Sequence, residues 1–365
     1  MRRFCHSLFL CGMVFLWAPA ANAQDVTIRR VTDRVITLSM SNLSMHTNVT
    51  VIETEKGLVC IETEFVPSVM RTIKAAAEKE LGRDDWAYVI NTHSHLHHAK
   101  GNAAFSEIPI IGPNTTMMDW FKGTLLSEEG RRAYCDYSGV TYGINVLRQN
   151  LARARLTAEQ REILRRRLRF CQAIQKEIMD GFEVRNPTIA YHEGQELDLG
   201  DTHLQLFYWG DGINHNSIFV YVLEDKMLVG MGMGRQGWIA GAAEDATLEG
   251  IRHAISMWEK LSDKNFPIDF MIEVHGPEIH NSRQRSEYSR IYLQTLLDNL
   301  TQAQKDGLSL QQAKAKFPYS KEPAAMRRYF YKPENVSEQH LKHIDRIWNL
   351  LQKEELTRVD GISNQ

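Results

Sequence analysis

The stretch Asn91–Asn102, Asn-Thr-His-Ser-His-Leu-His-His-Ala-Lys-Gly-Asn, decides how the rest of the chain is interpreted. Its imidazoles fall within six residues and belong to His93, His95, His97 and His98. They follow the apolar run Trp86–Ile90, which predicts a buried strand. A strand that ends in His-x-His can direct both rings at one point, and imidazole is the commonest nitrogen ligand of zinc. The pattern therefore predicts a metal site rather than a surface loop rich in histidine.

The same stretch resembles the His-x-His-x-Asp-His signature of the metallo-β-lactamase superfamily, including the Asn-Thr before it and the Gly-Asn after it. His97 stands where the family has its aspartate, which is a clear departure. Upstream, Ile61–Glu64 reads Ile-Glu-Thr-Glu where the family usually carries Ile-Asp-Thr-Gly. The resemblance implies an α/β fold, the four-layer αβ/βα metallo-β-lactamase-type sandwich, and metal-dependent hydrolysis as the activity.

A set of metal ligands is also implied by this resemblance. In the family, one metal binds both histidines of His-x-His and a third histidine further along the chain. The second metal binds the Asp-His pair and a final histidine, and another aspartate bridges the two metals. His93, His95 and His98 match these positions, and His275, in a Val-His-Gly-Pro segment, matches the final histidine.

Two other family positions are not matched. Counting back from the strand pattern Ser217–Tyr221 places Ile213 at the third-histidine position, and a histidine, His215, comes two residues later. Two residues span several ångströms, at about 3.3 Å per residue in an extended chain, so His215 can be a ligand only if the loop is rebuilt. The bridging aspartate should lie at Met231 or Gly232, where no carboxylate is present.

The candidate metal ligands are therefore His93, His95, His97, His98, His215 and His275. His97 and His215 are also the candidates for a catalytic role. The histidines divide into two trios, one of His97, His98 and His275 and the other of His93, His95 and His215. Because neutral ligands alone hold two dications about 3.5–4 Å apart poorly, we expect one zinc-like ion rather than two.

Two functions from different classes fit this pattern. The first is a metal-dependent hydrolase that acts on a small-molecule ester, amide or related bond through a reduced, mononuclear site. The second is a catalytically inactive superfamily member that serves as a periplasmic ligand- or metal-binding protein. A purified protein with almost no bound metal would exclude the hydrolase. The segment Gly232–Gly237 satisfies G-x-G-x-x-G, but no helix pattern follows it, so nucleotide binding is disfavoured.

Residues 1–23 have the pattern of a cleavable signal peptide, with a basic start, a short apolar run and an Ala-x-Ala site that ends at Ala23. We therefore expect a periplasmic or secreted protein. Removal of Arg2 and Arg3 leaves 41 basic residues, from a total of 43, against 45 acidic ones. This mildly acidic balance favours neither nucleic acid nor an anionic membrane as a partner, and leaves a small-molecule substrate.

The remainder of the chain predicts a metallo-β-lactamase-like domain over residues 24–285 and a helical C-terminal extension over 286–365. An amphipathic helix is predicted from Pro67 to Leu81, and a helical insertion at about 114–186, which contains a capping box at Thr157–Gln160. The insertion is either a packed element or a lid that lines the substrate pocket with Met117, Met118, Trp120 and Phe121. The apolar stripe of the last helix either packs on the domain or forms a homodimer contact; it consists of Leu341, Ile344, Trp348 and Leu351.

The three cysteines beyond the signal segment form no CxxC pair. Cys60 lies in an alternating strand pattern, which predicts a buried thiol. Cys135 and Cys171 fall in one helical stretch, and an exported protein could join them in a disulfide.

Overall fold

Two mixed β-sheets with helices on their outer faces make up the fold. A computed structural model describes residues 26–40, 47–93, 95–113, 123, 125–153, 155–210, 217–230, 246–274, 282–321 and 333–363. The predicted signal peptide at residues 1–23 lies outside these ranges.

The first sheet has seven strands that neighbour one another in chain order. They are β1 Val26–Arg30, β2 Val35–Met40, β3 Val49–Thr54, β4 Gly57–Ile61, β5 Trp86–Ile90, β6 Ile110–Gly112 and β7 Ile189–Ala190. Strands β1 to β4 pair antiparallel, as expected for hairpins, and β4 to β7 pair parallel. Parallel neighbours end at the same edge of a sheet, so Ile61 and Ile90 lie side by side as Cα partners.

The second sheet has five strands in the order β12-β11-β10-β9-β8. They are β8 Glu196–Asp198, β9 His203–Gly210, β10 Ser217–Val222, β11 Met227–Gly230 and β12 Phe270–Glu273. Among the described strands of this sheet, only β11 and β12 pair parallel, and α6 (Leu248–Ser262) connects them. Strand β10 is buried along its whole length, which explains its unbroken run of apolar and aromatic residues.

The hydrophobic core is divided into layers by the two sheets. Between them lies one cluster to which both sheets contribute, with Ile52 and Ile90 from the first and Val220 and Ile272 from the second. Apolar side chains on the outer face of the first sheet pack under helices, and those of the second sheet pack under α6. The four-layer αβ/βα sandwich expected from the sequence is therefore confirmed.

Helix α1 (Pro67–Leu81) connects β4 to β5 and agrees with the sequence prediction. Pro67 opens the helix, where the missing N–H costs no hydrogen bond. Its buried face carries Val69, Met70 and Ile73 at helical spacing. The helix ends at Gly82, whose φ of 66° is the left-handed conformation that glycine adopts without steric cost.

The insertion between β6 and β7 is helical, as predicted, and consists in its described part of α3 (Glu128–Tyr137), α4 (Val140–Leu151) and α5 (Ala158–Asp180). The predicted capping box at the start of α5 is present: the backbone N–H of Gln160 donates to Thr157 Oγ1 at 3.1 Å. The proposed pocket-lining residues Met117, Met118, Trp120 and Phe121 lie outside the described residues.

The insertion is docked against the start of α1. The N-cap of α1 is Val66, which supplies no side-chain acceptor. Glu177 of α5 fills this role, because its Oε1 accepts from the Ser68 backbone N–H at 3.1 Å. Tyr134 of α3 adds a second attachment, since its hydroxyl donates to the Phe65 carbonyl at 2.6 Å. The insertion is thus held at the edge where the parallel strands end.

The three cysteines that lie in the described residues are buried free thiols. Cys60 was predicted to be one. Cys135 and Cys171 belong to two different helices, α3 and α5, because Gly139, with a φ of 72°, ends the first helical segment. The disulfide that the sequence left open is not formed in this structure.

The C-terminal extension comprises α7 (Ser282–Lys305), α8 (Leu310–Lys316) and α9 (Pro333–Ser363) in its described part. The predicted stripe of α9 packs mainly inward: Ile344, Trp348 and Leu351 are buried with Ile251 of α6, while Leu341 is 41% exposed. A homodimer contact through these helices stays a prediction. Among the described residues, no helix has both the length and the apolar composition needed to cross a bilayer.

A chain of hydrogen bonds ties α7 to α9 inside this extension. The Phe317 carbonyl lies 2.7 Å from His340 Nε2, which must therefore carry a proton. In the neutral ring, Nδ1 of His340 then accepts from the Tyr292 hydroxyl at 3.0 Å. The Tyr292 oxygen in turn accepts from Nδ1–H of His343 at 2.9 Å. Both imidazoles are neutral in this arrangement.

Burial of these histidines makes the free energy of unfolding sensitive to acid. It lowers the pKa of His343 to about 3 and lowers that of His340 as well, whereas an unfolded chain has histidine pKa values near 6.5. Between pH 6.5 and 3 the unfolded state therefore binds more protons than the folded state. We expect the free energy of unfolding to fall with acidification in this window, by at most about 1.4 kcal/mol per pH unit for each histidine.

Urea unfolding at a series of pH values measures this slope. Because His343 is partly exposed, the observed slope should be smaller than the maximum. His343→Gln should flatten the profile, whereas the same change at the exposed His192 should leave it as it is. Equal slopes in the unmutated protein and His343→Gln would contradict the prediction.

Candidate metal centre

The histidine motif begins where the two sheets meet. Strand β5 ends at Ile90, and the motif, which contains the short helix α2 (Leu96–Ala99), follows from Asn91. The carbonyl of Thr92 accepts a hydrogen bond from the backbone N–H of Ile218 in β10 at 2.8 Å. Ser217 is the first described residue after the segment that contains His215. It therefore lies beside the start of the motif.

Other strand ends reach the same edge. Gly230, the last residue of β11, pairs with Phe219 of β10 and Glu273 of β12. The carbonyls of Glu273 and Val274 accept from the side chain and backbone N–H groups of Asn48, at 2.7 and 2.8 Å. Gly230 and Val274, the described residues directly before Met231 and His275, thus lie at the end of the second sheet that is next to the motif.

The four imidazoles of the motif form one cluster, as the sequence predicts. Their ring centroids are separated by 4.8 Å for His93 and His95, 4.4 Å for His93 and His98, 4.0 Å for His97 and His98, and 5.5 Å for His95 and His97. His93, His97 and His98 are buried, and His95 is half-buried. Among the described residues, no three donor side chains are arranged to hold a metal ion by themselves.

Two of the six candidate ligands, His215 and His275, lie outside the described residues, as do Ile213, Met231 and Gly232. Their part in a metal site stays a prediction.

Glu62 lies directly behind the cluster and is the main site residue that the sequence reading did not identify. It follows β4 and is fully buried, with its Oε2 atom 3.3 Å from Nδ1 of His98. Its Oε1 atom accepts from the backbone N–H of Thr92 at 2.9 Å and lies 3.9 Å from Nδ1 of His93. Its φ of 68° is rare for a residue with a Cβ, and such conformations concentrate at functional sites.

This arrangement fits a metal site in its donor chemistry. A carboxylate that accepts Nδ1–H of a histidine fixes the tautomer and leaves Nε2 as the basic nitrogen for a metal. The Glu62 carboxyl lies 3.3 Å from Nδ1 of His98, close enough for an electrostatic contact that favours a proton on that nitrogen, and the Thr92 hydroxyl, 3.0 Å from Nδ1 of His93, can accept from that ring. The sequence signal was present, because Glu62 occupies the aspartate position of the family's Ile-Asp-Thr-Gly segment.

Burial dominates the protonation of the carboxyl groups at this corner. It raises the pKa of Glu62 to about 8, although hydrogen bonds from Thr92 oppose the shift. It raises the pKa of Glu64 to about 8 in the same way, against a hydrogen bond from Thr47. Lys100, in the 3-10 turn Lys100–Ala104 that follows the four histidines, is also buried. A nearby cation stabilises the ionised form of a buried carboxyl, so the corner is suited to hold positive charge.

A buried amide pair fixes the backbone of the motif. The amides of Asn91 and Asn102 bond each other in both directions, at 3.1 and 2.8 Å. Thr63 bonds Asn102 Oδ1 through its hydroxyl at 2.8 Å and the His98 carbonyl through its backbone N–H at 2.8 Å. A Cβ at Gly101 would lie 2.7 Å from the Glu64 carbonyl oxygen, so the turn can approach this closely only with glycine. The motif is therefore held rigidly against the segment that contains Glu62.

Replacing Asn102 by leucine should destabilise the protein by about 1–3 kcal/mol for each buried partner left without its hydrogen bond. Its partners include Asn91 and the Arg185 carbonyl, the latter at 3.0 Å from Asn102 Nδ2. Urea unfolding measures the loss. Asn349→Leu, at an exposed position of α9, is the matched control and should cost little. Similar losses in the two variants would contradict the role of the amide pair.

The insertion also reaches the cluster. The ring of Tyr137, the last residue of α3, lies 5.7 Å from that of His97, centroid to centroid. Tyr137 is 48% exposed, although burial of part of its side chain raises the pKa of its hydroxyl to about 12. The sequence reading did not single it out, because nothing in its local pattern separates it from other helix residues.

Comparison with known proteins agrees with the fold. The family model of the metallo-beta-lactamase superfamily matches residues 45–230, just over half of the chain. The chain therefore belongs to this superfamily, whose members are generally hydrolases and commonly bind zinc. No curated protein matches the chain.

Several solved structures are similar to the chain. The stereoselective inverting sec-alkylsulfatase Pisa1 from Pseudomonas sp. has 15% identity and a TM-score of 0.57, over 84% of this chain and 47% of that one. A metallo-beta-lactamase from Pontibacter korlensis has 13% identity and a TM-score of 0.47, over 73% of this chain and 99% of that one. The chain thus spans about half the length of the sulfatase, and at this identity the likeness shows the fold alone.

Proposed function

We propose that the protein is a metal-dependent hydrolase that cleaves an ester, amide or related bond of a small molecule with a single zinc-like ion. The observation that carries this proposal is the buried carboxyl of Glu62 behind a cluster of four imidazoles. A solvated histidine-rich loop would have no use for such a carboxyl, because its burial is costly without a compensating charge.

The ligands of the metal would come from the four histidines of the motif together with His215 and His275, as one of the two trios, because three imidazoles suffice for a zinc site with an open position. A zinc ion in such a site supplies a bound water whose pKa is lowered to about 7 and polarises the substrate oxygen. Glu62 would stabilise the proton on Nδ1 of His98 and so keep the basic Nε2 atom of that ring available. The amide pair of Asn91 and Asn102 would hold the backbone in place.

A single ion is favoured by the charges of the candidate ligands. All six are neutral imidazoles, and the carboxyl found in the structure lies behind the cluster, on the Nδ1 side of His98. Two dications a few ångströms apart repel each other strongly in a buried site, and a bridging anion normally offsets this repulsion. His97, in place of the family's aspartate, brings no such charge.

The metal content of the mature protein, purified without chelator, tests the proposal. We expect about one equivalent of zinc and hydrolysis of at least one probe in a panel of activated carboxylic, phosphoric and sulfuric esters. Less than about a tenth of an equivalent, the level of adventitious loading, would contradict it. One equivalent of metal without turnover of any probe would favour the inactive binding protein, and two equivalents would contradict the mononuclear site.

A further inference from the structure

Tyr137 occupies an unusual place between the candidate metal centre and solvent. Its side chain is 48% exposed, whereas that of His97, with which it is in ring contact, is 5% exposed. The two rings are inclined at 50°. A half-exposed aromatic ring that covers a buried imidazole is reached by an incoming ligand before the imidazole itself. Tyr137 therefore borders the approach to the cluster.

The position of Tyr137 is held by the fold. It ends α3, and the backbone N–H of Ser138 still donates to the Tyr134 carbonyl at 2.9 Å. Tyr134, one turn earlier, is buried and attached through its hydroxyl to the Phe65 carbonyl. Gly139 then turns the chain away with a φ of 72°. Because the helix end is anchored to the segment that follows Glu62, the ring of Tyr137 is held beside the site by a rigid element.

We infer that Tyr137 is a substrate-contacting residue, and that its ring selects substrates that carry an aryl or similarly planar apolar group beside the scissile bond. This inference rests on the proposed function. The half-exposed ring of Tyr137, inclined at 50° to that of the buried His97, presents aromatic surface, which a planar group can cover in an offset or edge-to-face manner. The helical insertion, and not the fold shared by the superfamily, would then determine which substrate binds.

The test compares two non-hydrolysable probes, phenylphosphonate and methylphosphonate, by titration calorimetry on the full mature protein with its measured metal content. The two probes carry the same anionic group, so the ratio of their dissociation constants isolates the contribution of the ring. We expect the unmutated protein to prefer phenylphosphonate about tenfold, and Tyr137→Ala to reduce this preference to about twofold or less. Tyr137→Phe should restore it, because the ring is kept.

Tyr142→Ala is the matched control, since Tyr142 is a tyrosine of the same insertion that is 67% exposed. It should keep the preference of the unmutated protein. The inference is overturned if Tyr137→Ala keeps the preference, if the unmutated protein shows none, or if neither phosphonate binds at millimolar concentrations. Thermal unfolding of each variant checks that the fold is retained, which the exposure of both tyrosines leads us to expect.

This experiment also separates the two proposals. Metal content is measured independently, and Tyr137→Ala should not change it, because the tyrosine is not among the candidate ligands. A preference for phenylphosphonate that depends on Tyr137 in a protein without metal would support the contact and contradict the metal-dependent hydrolase. Full metal content, together with phosphonate binding that does not depend on Tyr137, would support the metal site and contradict the contact.

Discussion

Replacement of His98 by alanine is expected to reduce bound zinc from about one equivalent to less than a tenth. His98 is buried, is in ring contact with both His93 and His97, and faces Glu62 through Nδ1. Structural zinc sites bind with about 10–16 kcal/mol shared among their ligands. The loss of one ligand should therefore cost on the order of 3 kcal/mol, which is more than a hundredfold in the dissociation constant. Metal analysis after dialysis measures the effect.

Two further variants make this result specific. His192→Ala removes an exposed imidazole far from the motif in sequence and should leave the metal content unchanged. His95→Ala tests the second trio of candidate ligands, so loss in only one of His95→Ala and His98→Ala shows which trio binds. Unchanged metal in both would mean that the cluster is not the metal site.

Replacement of Glu62 by glutamine is expected to weaken zinc binding by about 10–100-fold, although Glu62 is not a candidate ligand. Glutamine has nearly the same shape and its amide oxygen can still accept from the backbone N–H of Thr92. It lacks the negative charge that stabilises a protonated Nδ1 on His98, 3.3 Å away. The nitrogen that remains for the metal becomes less basic as a result. Competition with a chromophoric chelator measures the change in the dissociation constant.

Glu64→Gln is the matched control for this prediction. Glu64 is also buried, lies two residues further along the chain, and has a pKa that burial raises to about 8. Its carboxyl bonds Thr47 and the Phe65 backbone instead of an imidazole. Zinc affinity should therefore change little, and an equal loss in both variants would show that the effect at Glu62 comes from general damage to this corner.

The position of Glu62 changes how the missing carboxylates are understood. The sequence shows that the family's aspartate positions are occupied by His97 and by the Met231–Gly232 region, which suggests a site without negative charge. The structure places a buried carboxyl behind His98 instead. A carboxylate on the Nδ1 side of His98 can change the basicity of the ligand nitrogen, but it cannot bridge two metal ions. The proposal of a single ion therefore rests on the neutral charge of the candidate ligands.

Much of the fold was predictable because it depends on local patterns. Helix α1, strand β10 and the capping box of α5 follow from apolar spacing and from end signals carried by neighbouring residues. The short strands β6 and β7 were not predicted. They have three and two residues, and the insertion separates them, so that their pairing is decided by the sheet and not by their own pattern.

The sequence by itself determined the superfamily, the α/β architecture and the clustering of His93, His95, His97 and His98, because a strand followed by closely spaced histidines leaves little freedom. Only the tertiary structure decided what surrounds them. Glu62 reaches His98 because parallel strands β4 and β5 end side by side. Tyr137 reaches His97 because the insertion is anchored at Phe65. Both contacts join segments separated by more than thirty residues, and no local pattern encodes such distances.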